Sequence, residues 1–213
     1  MALSFLVSKP KLLPVKRDAD GTWLFFDGNK RISDLSNDEN GYTSRHMFAK
    51  GNPCTGVGRA SVVTPPYHYH IYQTEIFEPK RGVMCYLLEG KEYKAGVGDV
   101  VTVQPGQRHT FWSDQDAEEG LHVDITVRGG GPRKGLDETF FHNLYGYMDS
   151  LRQQDRSPSI FQLLAFMDSA DVVLADIPFG LGKLMNVVVG RWIGRYLLGY
   201  QPSYKIYNEG VTQ

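Results

Sequence analysis

The sequence predicts a mainly β fold, a barrel or sandwich of short strands, with a helical appendage at its C-terminal end. Three observations lead to this prediction. Short strand candidates follow one another between residues 60 and 130, with glycine and proline turns between them. The last of them, residues 121–127, alternates apolar and polar side chains, as a half-buried strand does. From Asp137 onward, apolar residues recur every three or four positions, which is the period of an α-helix.

The first sixty residues are expected to contribute leading strands and loops to the same β domain. Runs rich in aromatic and β-branched residues cover 22–26 and 42–49. Turn-forming residues, Asp27-Gly28 and Asn40-Gly41, separate these runs. We therefore predict that the β domain covers residues 1–131.

The composition limits the class of protein. A chain of 213 residues can bury one sizeable core and suits one domain with an appendage. Its net charge of −1 and the lack of a basic tract argue against a nucleic-acid partner. Two cysteines, Cys54 and Cys85, make a disulfide framework improbable, and this predicts a reducing, cytoplasmic location. The apolar start, residues 1–7, is too short for a secretory signal or a membrane span.

A cluster of metal-binding residue types lies in the middle of the chain. His68 and His70 are two positions apart, so an extended strand places both imidazoles on one face. Glu75 is an odd number of positions from both, and it joins them only if the chain turns or bulges at residues 72–74. His109 follows a glycine-rich turn and a short apolar run. Three imidazoles and one carboxylate suit one divalent ion, Fe, Mn, Ni, Cu or Zn, with positions left for substrate or water.

These residues resemble the two motifs of the cupin superfamily. The first motif, His-x-His followed by Glu and then Gly, is matched by His68, His70, Glu75 and Gly82. The second motif is matched by Gly98-Asp99, Pro105-Gly106 and His109. The family has glycine, proline and asparagine where this chain has Val62, Gln104 and Ser113. The resemblance extends over residues 20–130, and it implies a jelly-roll barrel in which His68, His70, Glu75 and His109 hold the metal.

The motif strands are rich in aromatic residues, and this predicts an apolar or aromatic metabolite as the occupant of the barrel. By alternation, Phe111 shares a face with His109, and Tyr72 is a candidate to share the face of His70. We take Tyr72, Phe77 and Phe111 as candidate substrate-binding residues. Ordinary core packing would account for the same aromatic residues.

The cupin resemblance implies an enzyme, because the superfamily contains dioxygenases, decarboxylases, isomerases, dehydratases and cyclases. A bound ion can act as a Lewis acid or, if it is iron, in chemistry with O₂. We therefore expect lyase, isomerase, cyclase or dioxygenase chemistry on a small metabolite of a biosynthetic pathway, with Glu75 as a ligand or as the catalytic base. Two alternatives stay open: a non-enzymatic module that binds metal and ligand, and a metal-free cyclase-like barrel. Cupin barrels commonly pair through sheet edges, so the resemblance implies a homodimer.

Other polar residues give weaker indications of function. His122 and Asp124 lie on the polar face of 121–127 and could form an acid/base pair. A face turned to solvent explains them more simply, and we favour that interpretation. His46 and His142 carry less weight still.

The helical extension is predicted over residues 132–213, after the glycine-rich stretch 129–132, and to pack on the barrel or on a partner subunit. Asp137 is the expected N-cap of its first helix, and Ser157-Pro158 marks the start of the second.

The segment 177–200 is apolar but interrupted by proline, glycine and basic residues, so it is a poor transmembrane candidate. Gly190 and Gly194 stand one helical turn apart, as do Arg191 and Arg195. Three alternatives follow: close packing on the chain's own barrel or on a second subunit, contact with a membrane surface, or a lid over the pocket.

Overall fold

The structure is a computed structural model that describes residues 3–130 and 135–212. Two β-sheets pack face to face, and helices pack against them. The strands are β1 (Lys16–Arg17), β2 (Trp23–Phe25), β3 (Lys30–Asp38), β4 (Gly41–Phe48), β5 (His68–His70), β6 (Thr74–Arg81), β7 (Met84–Leu88), β8 (Lys91–Ala95), β9 (Val101–Val103), β10 (His109–Ser113), β11 (Leu121–Arg128), β12 (Val172–Leu174) and β13 (Val211–Thr212).

The order of the strands matches the predicted jelly-roll sandwich. The larger sheet runs β13-β1-β2-β3-β4-β11-β6-β9, and the smaller one runs β12-β5-β10-β7-β8. Neighbouring strands are antiparallel except β1 and β13, which are parallel. The prediction of a mainly β fold is confirmed.

The helices follow the barrel strands, as the change of apolar period predicted. They are α1 (Glu138–Arg152), α2 (Ile160–Ser169), α3 (Leu181–Met185), a π-helix (Asn186–Leu197) and α4 (Lys205–Glu209), with short 3₁₀ turns at Ser4–Leu6, Gly58–Ala60 and Pro178–Gly180. The Asp137 carboxylate accepts a hydrogen bond from the backbone N–H of Phe140 at 3.0 Å, which confirms it as the N-cap of α1. Ser159 holds the same position for α2, without a side-chain bond.

The alternation of β11 sorts its side chains as predicted. Its apolar residues, Leu121, Val123, Ile125 and Val127, are buried in the sandwich. On the opposite face the Asp124 carboxylate accepts two hydrogen bonds from the Arg45 guanidinium, at 2.7 and 2.9 Å. The polar face therefore lies on the outer side of the sheet, where His122 and Thr126 are partly exposed, but Asp124 is buried in its contact with Arg45 and does not face solvent.

One continuous core joins the strands to the helices. It contains β residues such as Phe25 and Ile125 together with Phe141 of α1 and Phe166 of α2. The segment after residue 135 also returns to the sheets, because β12 pairs with β5 and β13 pairs with β1. The predicted boundary at residues 131–132 lies outside the described residues, so the division into a barrel domain and an extension stays a prediction.

The π-helix packs on α2 of the same chain through its glycines. A Cβ atom on Gly190 would lie 2.6 Å from the backbone of Leu164, and one on Gly194 would lie 2.9 Å from the carbonyl oxygen of Phe161. Arg191 forms two hydrogen bonds to Asp168, at 2.7 and 2.8 Å. The structure shows close packing of this segment within the chain, on the helix α2, and contact of its exposed face with a second subunit or a membrane surface stays a prediction. No described helix has the length and apolar character needed to cross a membrane.

We predict that Gly190→Ala destabilises the protein by about 1–3 kcal/mol, because the methyl group must push the backbone of α2 away. The free energy of unfolding in denaturant measures the effect. Gly96→Ala is the matched control, because the nearest atom to its Cβ is a side-chain oxygen 4.0 Å away. Equal stability of the two variants would contradict the close contact between the two helices.

A lysine lies inside the core, on a strand that sequence reasoning did not identify. Lys30 of β3 is fully buried, and its ammonium nitrogen makes no hydrogen bond to a described residue. Nζ lies 3.6 Å from the ring centroid of Phe48 and 5.0 Å from that of Tyr145. Burial lowers the pKa of Lys30 well below its usual range.

We predict that Lys30→Met stabilises the protein at neutral pH and flattens the pH dependence of its stability. Between the lowered pKa of Lys30 in the folded chain and its ordinary value of 10.5, the unfolded chain binds a proton that the folded chain does not, so the free energy of unfolding rises with pH over that range. One proton corresponds to a slope of about 1.4 kcal/mol per pH unit. Denaturant titrations from pH 6 to pH 10 measure it.

The control for this prediction is Lys91→Met, which changes an exposed lysine of β8. It should leave the pH dependence as in the parent protein. A Lys30→Met variant that is less stable at every pH would show that the amine makes a favourable interaction in the folded state.

Candidate metal centre

The four predicted ligand residues come from three strands of the two sheets. β5 carries His68 and His70, and β10 places His109 directly opposite His68 in the antiparallel register. Glu75 belongs to β6 of the larger sheet. Between His70 and Thr74 the chain leaves the smaller sheet and enters the larger one. The turn that the odd spacing of Glu75 required is thus a crossing between the sheets, and it turns the carboxylate toward the histidines.

The four side chains meet in a buried cluster whose ligand atoms all lie within 4.8 Å of one another. Oε2 of Glu75 lies 2.9 Å from Nε2 of His109 and 3.2 Å from Nε2 of His70. The ring centroids of His68 and His109 are 4.3 Å apart. Two ligand atoms at about 2.1 Å from one ion and at right angles are about 3.0 Å apart. The observed separations therefore fit ligands that share one ion.

Backbone carbonyl groups orient two of the imidazoles. Nδ1 of His68 lies 2.7 Å from the carbonyl oxygen of Pro66, and Nδ1 of His109 lies 3.1 Å from that of Gln107. Because a carbonyl oxygen only accepts hydrogen bonds, each Nδ1 carries the proton. In the neutral ring this leaves a lone pair on Nε2, the atom that faces the cluster in His109. Such outer contacts hold histidine ligands in their binding orientation.

The charges in the cluster call for a cation. Burial, then His109 and His70, lower the pKa of His68 well below its usual range, which keeps it neutral. Burial alone would raise the pKa of Glu75, but His70 and His109 outweigh it and hold the pKa well below the normal value, so Glu75 is ionised. Neither ring nitrogen of His70 makes a hydrogen bond to a described residue. A buried carboxylate needs positive charge beside it, and imidazole nitrogens with one carboxylate are the donor types that a divalent metal ion takes, so the residues fit such an ion.

Glycines of the two sequence motifs support the ligand strands. The backbone N–H of Gly106 donates to the carbonyl oxygen of His70 at 2.8 Å. Gly82 has a φ of +69°, and a Cβ atom there would lie 2.7 Å from the carbonyl oxygen of Gly120. A larger residue at Gly82 would therefore be strained and would clash with the chain before β11.

The cluster opens onto a cavity of about 370 Å³, a size that suits a small metabolite. His68 and Glu75 are the ligand residues on its wall. Most of the remaining lining is apolar and comes from the barrel, α1, α2 and β12. It includes Phe26, Val63, Phe111, Leu136, Phe140, Phe141, Leu144, Met148, Ile160, Leu163, Leu164, Phe166, Met167, Val172 and Leu174. The helical extension thus supplies much of the wall.

The three candidate substrate-binding residues occupy different places. Phe111 lines the cavity. Phe77 is buried beside it, with ring centroids 5.0 Å apart, but it does not belong to the lining. Tyr72 is 46 % exposed and does not line the cavity. The expectation that Tyr72 shares the face of His70 is therefore wrong. The alternation of β5 ends at His70, where the chain begins to cross between the sheets.

Sequence reasoning gave little or no indication that two polar residues belong to the cavity wall. His46 of β4 and Tyr145 of α1 both line the cavity. His46 could have been found from its strand, because alternation from the buried Tyr42 and Phe48 puts it on the inner face. His142 lies elsewhere in the core, with its ring centroid 4.0 Å from that of Trp23 and Nε2 3.3 Å from Asp34.

Comparison with known proteins identifies the family. No protein-family model matches the chain. It is 30 % identical over 194 residues to the probable oxidoreductase virH of Hypocrea virens, a match that covers 89 % of this chain and 87 % of that protein. It is 31 % identical to the oxidoreductase iacF of Pestalotiopsis fici, covering 78 % of this chain and 82 % of that protein. With the cupin motifs and their buried cluster in place, the chain belongs to the cupin superfamily, in the family of these fungal proteins.

Some relatives are longer than this chain. It is 33 % identical over 149 residues to the epoxidase atD of Aspergillus terreus, but that match covers 67 % of this chain and 46 % of that protein. Among solved structures, the chain resembles KdgF from a Halomonas species, with a TM-score of 0.37, 14 % identity and coverage of 48 % of this chain and 82 % of that one. It also resembles the cupin domain of Schizosaccharomyces pombe Cnp3, with a TM-score of 0.36, 11 % identity and coverage of 47 % and 65 %. The names of the relatives agree with the prediction that the chain is an enzyme.

We predict that a divalent ion stabilises the protein through this cluster. At an ion concentration 100-fold above the dissociation constant, binding adds about 2.7 kcal/mol to the free energy of unfolding. His70→Gln should abolish most of this gain, because it removes a ligand nitrogen from the buried cluster. The measurements are the thermal midpoint with and without added metal, and the metal content by elemental analysis.

The control for metal stabilisation is His122→Gln. His122 lies on the outer face of β11, away from the cluster, so this variant should keep the full metal effect. Equal stabilisation of the His70→Gln variant would show that the ion binds at another site.

Proposed function

We propose that this chain is a metal-dependent cupin oxidoreductase that oxidises a small apolar or aromatic metabolite of a biosynthetic pathway. The observation that carries the proposal is the buried cluster of three histidines and Glu75 on the wall of an apolar cavity. The names of the relatives, probable oxidoreductase, oxidoreductase and epoxidase, favour oxidation over the lyase and isomerase chemistry that the sequence left open.

The proposed roles follow from the positions of the side chains. His68, His70, Glu75 and His109 would hold the ion. A redox-active first-row ion supplies electrons for chemistry with O₂ and acts as a Lewis acid. The ion could be Fe, Mn, Ni, Cu or Zn by its ligands alone, and the proposed reaction favours the redox-active ones.

The protein side chains exclude water and position the substrate. Phe111 and the apolar residues of α1 and α2 surround the space beside the cluster, so a substrate ring there is held away from solvent. Glu75 lies both in the cluster and on the cavity wall. We propose that its carboxylate ligates the ion or, when it is not bound to metal, accepts a proton from a bound substrate, and its low pKa favours ligation.

The proposal predicts that turnover requires the metal and consumes O₂. Protein stripped with a chelator and reloaded with Fe(II) should convert members of a panel of small phenols and enones with oxygen uptake. The Zn(II) form should bind its ion but take up no oxygen, because zinc has no redox chemistry. An oxygen electrode and mass spectrometry of the products measure this.

Variants distinguish the effect of losing a metal ligand from the effect of a change elsewhere on the barrel. His70→Gln and Glu75→Gln should lose metal and oxygen uptake together, and His122→Gln should keep both. Unchanged turnover by the metal-free protein would favour a metal-free cyclase-like barrel. Conversion of a substrate without oxygen uptake would return the reaction to the lyase or isomerase class.

The homodimer and the cytoplasmic location are also proposals. The outer face of the C-terminal helices leaves large apolar residues exposed, including Leu184, Trp192 and Tyr196. A second subunit or a membrane surface would cover such a face. Both cysteines are free thiols, which supports a reducing compartment.

A further inference from the structure

The cavity contains a second polar group besides the metal cluster. Five of its lining residues have polar side chains: Thr64, His68, Glu75, His46 and Tyr145. His68 and Glu75 belong to the cluster, and the Thr64 hydroxyl donates to the carbonyl oxygen of Gly58 at 3.4 Å. His46 and Tyr145 remain, on β4 and α1, with ring centroids 6.1 Å apart. They form a pair on the wall, which we call the His46–Tyr145 pair.

His46 has a ring nitrogen without a partner. The residue is fully buried, and its Nε2 lies 3.0 Å from Oγ of Ser44. Its Nδ1 makes no hydrogen bond to a described residue. Burial, followed by Lys30, lowers the pKa of His46 well below its usual range, so the imidazole is neutral. A neutral imidazole keeps one donor and one acceptor nitrogen, so Nδ1 needs a partner in either tautomer.

The hydroxyl group of Tyr145 also lacks a hydrogen-bond partner in the described part of the chain. Its side chain is buried on the cavity wall and makes no hydrogen bond to a described residue. Burial, and then Glu75, raise the pKa of Tyr145, so the phenol keeps its proton and can donate it. The pair therefore offers a donor from Tyr145 and one unsatisfied nitrogen from His46.

The remaining contacts of His46 are aromatic and hold its ring in place. The ring meets Phe141 edge-on, with centroids 4.8 Å apart, and Phe48 lies at 6.5 Å. The imidazole is thus fixed between a strand and α1, and no described protein group satisfies Nδ1 of this cavity-lining residue. Orphaned buried polar atoms of this kind are rare in native proteins unless a ligand or water binds them.

We propose that the His46–Tyr145 pair binds a hydroxyl group on the substrate, so that the substrate is a hydroxylated ring compound with an otherwise apolar surface. This inference rests on the proposed function and names the substrate class of the same cavity. A hydroxyl group both donates and accepts, so it satisfies Nδ1 in either tautomer and can also accept from Tyr145. A carbonyl oxygen would satisfy only one tautomer.

The charged groups on the cavity wall disfavour an acidic substrate. No lysine or arginine belongs to the described residues that line it. The charge of Glu75 reaches both members of the pair, since it acts on the ionisation of His46 and of Tyr145. A carboxylate or phosphate there would be buried near another anion, and no cationic side chain of the described cavity wall could contact it, which is costly. The neutral hydroxyl of a phenol or a cyclic alcohol has no such cost.

The test compares two probes that differ by one hydroxyl group, toluene and 3-methylphenol. Binding to the metal-free protein is measured by calorimetry or by ligand-observed NMR. The parent protein should bind 3-methylphenol at least tenfold more tightly than toluene, because only the phenol satisfies the pair. This preference must exceed the cost of removing the phenol hydroxyl from water. Tyr145→Phe should reduce this ratio at least threefold, and His46→Phe should bring it close to one.

Met148→Leu is the matched control, because Met148 lines the same cavity from α1 and has no hydrogen-bonding group of comparable strength. It should change both affinities by a similar factor and leave their ratio unchanged. A second measurement needs no variant. The ¹⁵N resonance of His46 Nδ1 should shift on addition of 3-methylphenol and not on addition of toluene.

Equal binding of the two probes by the parent protein would overturn the inference, as would a ratio that survives in both pair variants. The outcome is separable from that of the proposed function, because these measurements use protein without metal or turnover. A protein that prefers the phenol but never takes up oxygen retains the hydroxyl site and loses the oxidoreductase. A protein that takes up oxygen but does not prefer the phenol retains the oxidoreductase activity and loses the hydroxyl site.

Discussion

The structure depends on an ionised carboxylate and three imidazoles that share a space from which water is excluded. Glu75 lies 3.2 Å from Nε2 of His70 and 2.9 Å from Nε2 of His109, and the backbone carbonyl of Gln107 accepts a hydrogen bond from Nδ1 of His109. A carboxylate buried at this distance from the imidazoles is stabilised by positive charge, either from protons on the rings or from a bound cation. The barrel brings them together through the crossing from β5 to β6, which sends two neighbouring segments of the chain into different sheets.

The sequence predicted those parts of the molecule that local pattern determines. The clean alternation of β11, the N-cap at Asp137 and the helical period after it all correspond to observed elements. The ligand set was predictable because its residue types are rare on one strand face and match a family motif. The odd spacing of Glu75 implied a turn before it and also the position of that turn. The spacing did not show that the turn is a crossing between two sheets, because this depends on the tertiary fold.

The rest could not be predicted because distant segments create it. β3 is rich in serine, aspartate and asparagine, so no apolar alternation marked it, and Lys30 at its start gave no sign of being buried. β12 has three residues between helices and is a strand only because β5 offers it hydrogen-bonding groups. The cavity wall is formed by α1 and α2 together with the barrel. The periodicity of apolar residues within one element does not indicate which of them line a space between two elements. Tyr72 shows the limit of alternation, which ends where the strand ends.

The pairing of β12 with β5 has a consequence for the newly made chain. β5 carries two of the ligand histidines and lies between β10 and β12, and β12 is synthesised only after α2. Until β12 leaves the ribosome, one side of β5 presents free backbone N–H and C=O groups, the kind of open edge that attracts strands of other molecules. A chain that ends before residue 172 would keep that edge permanently, and its ligand histidines would then lie on a strand prone to aggregation.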